Sequence, residues 1–86
     1  MSCENDLKEL ADELQALLKK HEKAHRELKY NPVEYRRECK AFTDRWKNRG
    51  WDIYDVLVKY NANGIRLDVK LYNMDNASRK EIEVKL

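Results

Sequence analysis

The stretch WDIYDVLVKYNANGIRLDVKLY, residues 51–72, decides the fold. Its apolar side chains step by two: Tyr54, Val56, Val58 and Tyr60 alternate with Ile53, Asp55, Leu57 and Lys59. Successive side chains of an extended chain point to opposite faces, so this period predicts a strand with one oily face. Asn61-Ala62-Asn63-Gly64 follows, and Asn and Gly tolerate the positive φ values that tight hairpins require. Beyond it Ile65, Leu67, Val69 and Leu71 alternate with Arg66, Asp68, Lys70 and Tyr72, which predicts an antiparallel partner.

Pairing Tyr60 with Ile65 puts Val58 opposite Leu67, Val56 opposite Val69 and Tyr54 opposite Leu71, so one face collects the apolar residues. After Met74-Asp75-Asn76-Ala77-Ser78, a third strand carries Ile82, Val84 and Leu86 on that face if Leu71 pairs with Ile82. The other face then aligns Asp55, Lys70 and Glu83, with Leu57, Asp68 and Lys85 beside them, as a solvated charge ladder. The expected strands are 52–60, 65–72 and 80–86.

Upstream the period changes. Leu7, Leu10, Leu14, Leu17, His21, Ala24 and Leu28 recur at three and four, with Ala11, Leu18 and His25 widening the stripe. This predicts a helix over 4–29 that lies on a core. Asn31-Pro32-Val33-Glu34 reads as a helix start: Asn31 caps, Pro32 suits the first turn and Glu34 stands at the capping-box position. The second helix, 32–49, turns Tyr35, Cys39, Phe42 and Trp46 inward and ends at Gly50, which can take a left-handed stop. The expected whole is one α+β domain over 1–86, a two-helix hairpin packed on one face of a three-stranded antiparallel meander.

The 86 residues allow one modest core. A 40% charged content with two Gly and one Pro argues against disorder or a loop-rich scaffold. Net charge is +2, and the basic excess falls in 31–50, with six Lys/Arg against three Asp/Glu. The acidic start MSCENDLKEL does not read as a signal peptide, and no run reaches the ~20 apolar residues of a spanning helix. The expectation is a cytoplasmic protein without membrane contact. Cys3 and Cys39 are too few for a disulfide framework. In an antiparallel hairpin they stand about 28 Å apart along the axis, beyond a disulfide's reach. Helix 1 overshoots helix 2 in such a hairpin, so Leu7, Leu10 and Leu14 must find the sheet or a second subunit, which allows a homodimer through helix 1.

His21-Glu22-Lys23-Ala24-His25 matches the H-E-x-x-H pattern and resembles the zincin metallopeptidase motif. Residues four apart share a helix face, so both imidazoles could hold zinc while Glu22 acts as general base on a metal-bound water. Glu34, Glu38 or Cys39 on the second helix would complete the ligand set, a glutamate giving a gluzincin-like arrangement. The resemblance covers five residues, and here every strand follows the helix instead of preceding it. Glu22 also points away from the stripe that holds the histidines. The alternative is a structural His pair between helices, with no cofactor.

Arg36, Arg37, Lys40, Arg45, Lys47 and Arg49 form a basic run on the second helix, of which Arg36, Arg37, Lys40 and Lys47 would carry any weak nucleic-acid contact. Glu34, Glu38 and Asp44 interrupt it, so a solvated face is favoured over nucleic acid. Tyr35, Phe42, Trp46, Trp51, Tyr54 and Tyr60 face inward or sit at the helix-to-strand junction, as core or as lining of a pocket under the sheet. No CxxC pair, activated thiol or phosphate-binding Gly-rich loop is present.

In style the chain resembles a computationally designed α+β mini-protein: short loops, a capped second helix, strict strand alternation and a charge-laddered sheet face agree with one another. The two cysteines, the histidines on an apolar stripe, the Asn-Ala-Asn-Gly turn and the indole rings depart from that style. The leading functional expectation is a non-enzymatic scaffold or protein-interaction domain, with zinc binding or zincin-like hydrolysis second and weak nucleic-acid binding third.

Overall fold

A computed structural model describes residues 3–62 and 64–86, with side chains from residue 5 onward. Two helices, α1 (Cys3–Arg26) and α2 (Pro32–Asn48), precede three strands, β1 (Trp51–Asn61), β2 (Gly64–Asn73) and β3 (Ser78–Lys85). The strands form one antiparallel sheet in the order β1-β2-β3, so β1 and β3 are its edges. α1 packs on β3, α2 packs on β1, and the helices touch each other, which gives the α+β layering expected from the two periods.

The core gathers Leu10 and Leu14 of α1, Phe42 and Trp46 of α2, Trp51 of β1, Leu67, Val69 and Leu71 of β2, and Val84 of β3. Leu7 packs against it from the start of α1, so the overhanging leucines are covered by their own chain. Both indoles are tied to α1: Trp46 Nε1 donates to Glu13 Oε2 at 2.7 Å and Trp51 Nε1 to Asp6 Oδ2 at 3.3 Å. Arg45 and Arg49 add ion pairs to Glu13, Asp6 and Glu9, and the Arg49 guanidinium lies 4.1 Å from the Trp46 ring centroid.

Caps form where sequence placed them. The Asn31 side chain accepts from the N–H groups of Val33 and Glu34, with Pro32 in the first turn. Gly50 has φ +94°, and a Cβ there would stand 2.7 Å from Asp75 Oδ2, so both conformation and space favour glycine. The end of α1 differs from expectation. The helix stops at Arg26, and Leu28, expected on the apolar stripe, takes φ 58° and is 94% exposed. Lys29 N–H donates to Ala24 O and Leu28 N–H to His25 O, a Schellman closure with leucine where glycine is usual. The chain must reverse before Pro32, which disfavours a helical residue ahead of it.

The sheet follows the expected register from Asn61↔Gly64 through Val58↔Leu67 and Val56↔Val69, then departs from it. A bulge between Ile53 and Asp55 sets Ile53, not Tyr54, opposite Leu71. Tyr54 is half exposed and lines a hollow with Asp52, Tyr72 and Arg79. Ile53 takes its place against the core. The bulge reconciles two phases, since Trp51 and Ile53 are odd-numbered whereas Val56 and Val58 are even.

β3 lies two residues from its expected register, pairing Val69 with Ile82 and Leu71 with Lys80. Its turn is shorter, because Asn73 Oδ1 accepts from Asp75 and Asn76 N–H and closes the hairpin at Asn73↔Ser78. The outer ladder accordingly reads Asp55–Lys70–Glu81 and Leu57–Asp68–Glu83 instead of Asp55–Lys70–Glu83. Asn63, read as part of the first turn, lies outside the described residues.

Candidate functional site

The apolar surface that this fold leaves open lies along β1. Val56 and Val58 face the helices but remain 44% and 42% exposed, because neither helix covers that length of strand. Tyr60 on the same face is 78% exposed, and Tyr54 and Leu57 are half exposed. Scattered apolar residues on a surface mean little, but Val56, Val58 and Tyr60 stand in a row on one face of a sheet edge, with Tyr54 and Leu57 on its other face.

Behind the edge lies an apolar groove of about 330 Å³. α1 contributes Leu14, Leu17 and Leu18, α2 contributes Tyr35, Cys39 and Phe42, and the strands contribute Ile53, Val56, Val58 and Leu67. The sequence left Tyr35 and Phe42 open between core and pocket lining; Phe42 is buried in the core and borders the groove as well, and the groove's mouth is the uncovered part of β1. Its polar groups are few. Tyr35 and Cys39 hydrogen-bond to each other, and burial pushes both the phenol and the thiol up from their ordinary values. The thiol is therefore protonated at neutral pH and a poor nucleophile. A larger hollow on the helix seam is bordered by Glu13, Lys20, Glu38 and Arg45, charges that already neutralise one another.

The histidines of the H-E-x-x-H stretch part company. His21 is buried, and its Nε2 is bonded to Glu38 Oε2. Glu38 also accepts from Lys20 Nζ at 2.6 Å. The Lys20 bond, then the His21 bond, holds the Glu38 carboxyl below the usual carboxylate range, so it stays ionised and accepts from the imidazole. The Tyr35 ring meets His21 edge-on at 4.9 Å. His25 is exposed and rests on Tyr30, ring centroids 5.3 Å apart. Glu22 is exposed and pairs with Arg26, and Glu34 lies 3.9 Å from Lys20. Cys39 is a free thiol in the groove, whereas the side chain of Cys3 lies outside those described. Among the described residues Glu38 is thus the one second-helix candidate bonded to a histidine. Among the described residues no three His, Cys, Asp or Glu side chains form a metal-holding group.

Arg45 and Arg49 are spent on α1 carboxylates, which takes them out of the basic run. Arg36, Arg37, Lys40 and Lys47 are exposed on α2. Among the described residues no helix is long and apolar enough to cross a membrane.

Sequence reasoning missed the edge itself. Leu57 on the outer face among Asp55 and Lys59 was the signal, since an apolar residue amid a charge ladder has nothing in its own chain to bury it. Compared with protein-family models, curated proteins and solved structures, the chain matches none.

Proposed function

We propose that this chain is a non-enzymatic protein-interaction domain that receives an extended segment alongside β1. The reading rests on one observation: the edge strand keeps five large apolar residues, Tyr54, Val56, Leu57, Val58 and Tyr60, between 42% and 78% exposed. An edge strand offers unpaired backbone donors and acceptors, and a partner strand that takes them gains both the ladder and the side-chain contacts. The groove beneath Val56 and Val58 gives alternate side chains of that partner an apolar seat, while the protonated Cys39 thiol gives it no nucleophile to react with.

The test is a titration of the ¹⁵N-labelled protein, at micromolar concentration, with the seven-residue peptide Thr-Val-Thr-Val-Thr-Val-Thr. Saturable shifts on the amides of 54–60 and on Tyr35 and Phe42 are expected. Shifts that are absent, or that gather on α1 and β3 instead, refute the reading.

A further inference from the structure

The exposed segment of β1 reads Tyr54-Asp55-Val56-Leu57-Val58-Lys59-Tyr60, which is the same in both directions except that Asp55 answers Lys59. We infer that the strand received alongside β1 is β1 of a second copy of this chain, antiparallel, with a two-fold axis through Leu57. The inference rests on the interaction reading above and names its partner.

In an antiparallel pair centred on Leu57, residue 56 stands opposite residue 58 of the partner, 55 opposite 59 and 54 opposite 60. Each valine then meets a valine, Leu57 meets its own copy, and each Asp55 meets a Lys59. Opposite charges and β-branched pairs directly across are the favourable cross-strand combinations, and the axis makes each of those pairs occur twice. No neighbouring register does this, because moving the centre to Val56 or Val58 sets Leu57 opposite a charged residue of the partner, Asp55 or Lys59, and separates Asp55 from Lys59. Lys59 already contacts Asp68 of its own chain at 3.0 Å, leaving the partner's Asp55 as a second carboxylate on the same ammonium. Asp55 has no ion pair among the described residues.

The axis runs perpendicular to the sheet, so both copies keep their helices on the same side. Val56 and Val58 of both copies then line one floor, and the partner's Tyr60 comes over the groove at Ile53 and Tyr35, where this chain's own β1 leaves the mouth open. The bulge at Tyr54 ends the regular ladder there.

Light scattering after size exclusion, from micromolar to millimolar protein, tests the pairing. A concentration-dependent dimer is expected for the unaltered chain. Asp55→Lys and Lys59→Asp should each raise the dissociation midpoint ~10- to 100-fold, because like charges then face each other twice. An equimolar mixture of the two variants restores opposite charges at both ends and should regain the dimer. Circular dichroism checks that each variant folds. If either does not, Leu57→Cys decides, since a cysteine on the axis should oxidise to a symmetric cross-link mapped by mass spectrometry.

An unaltered chain that stays monomeric throughout overturns the dimer, and so does a dimer that both charge variants leave unchanged. If the monomer still binds the Val/Thr peptide along 54–60, only the identity of the partner is wrong. If it binds neither, the interaction reading falls as well.

Discussion

Trp46 Nε1 donates to Glu13 Oε2 across the two helices at 2.7 Å, so a fully buried indole is satisfied by a carboxylate of the facing helix. The same carboxylate oxygen takes Arg45 at 2.9 Å. An acidic side chain on α1 thereby fixes the rotation of α2 as well as its distance.

Glu13→Ala should cost about 1–3 kcal/mol in urea unfolding, because it leaves a buried indole N–H without an acceptor. Glu13→Gln should cost less, since its amide oxygen still accepts from Trp46 and only the exposed Arg45 pair is lost. Equal losses in the two variants would show that the indole bond contributes nothing. Burial pushes the Glu13 carboxyl up, but bonds from Trp46 and Arg45 and the charges of Arg45 and Arg49 together bring it below its ordinary 4.5. A carboxyl depressed in the folded state stabilises above the unfolded value and loses that contribution as pH falls through the folded one. Glu38 is depressed in the same sense. The stability gap between the unaltered chain and Glu13→Gln should therefore be full at pH 7 and shrink below pH 4.5, read from melting curves.

Leu28→Gly should stabilise the protein. Leu28 holds φ 58° at 94% exposure, so it bears the cost of a left-handed residue, about 1–2 kcal/mol, and buries nothing in return. Glycine's greater freedom when unfolded offsets part of that gain. A net gain of about 1 kcal/mol would raise the melting temperature by about 4–8 °C in a domain of this size. A lower melting temperature would mean that the exposed leucine packs on something after all.

His21 is bonded to Glu38 whereas His25 rests exposed on Tyr30, so the two imidazoles have separate occupations. Calorimetric zinc titration should give the same weak binding for the unaltered chain and for His25→Ala. A loss of tenfold or more in His25→Ala would establish zinc held by both histidines.

How far the letters reach is seen by comparing residues. Val56, Val58, Leu67 and Val69 were placed correctly because alternation and a short turn fix register together. Tyr54 was not, because a bulge needs no glycine to announce it, and only the change from odd to even phase between Ile53 and Val56 betrays it. The shift of β3 depended on Asn73, whose side chain shortens the turn through two backbone bonds that no alternation rule contains. Leu28 obeys the helical spacing and still leaves the helix, since the reversal ahead of Pro32 outweighs one apolar side chain. The groove's aromatic residues were legible as inward-facing, as core or as pocket lining alike. That the groove stands open was not, because coverage depends on where α2 runs over β1, a tertiary relation.

The two margins of the sheet are unlike. β3 ends the sheet with Arg79, Lys80, Glu81, Glu83 and Lys85, charges that repel an incoming strand, whereas β1 ends it with valines and tyrosines. A fibre grows only if each molecule is sticky at both ends, and this one is sticky at a single end. Whatever pairs with β1 therefore uses up the molecule's capacity for further addition, and growth halts at the first union.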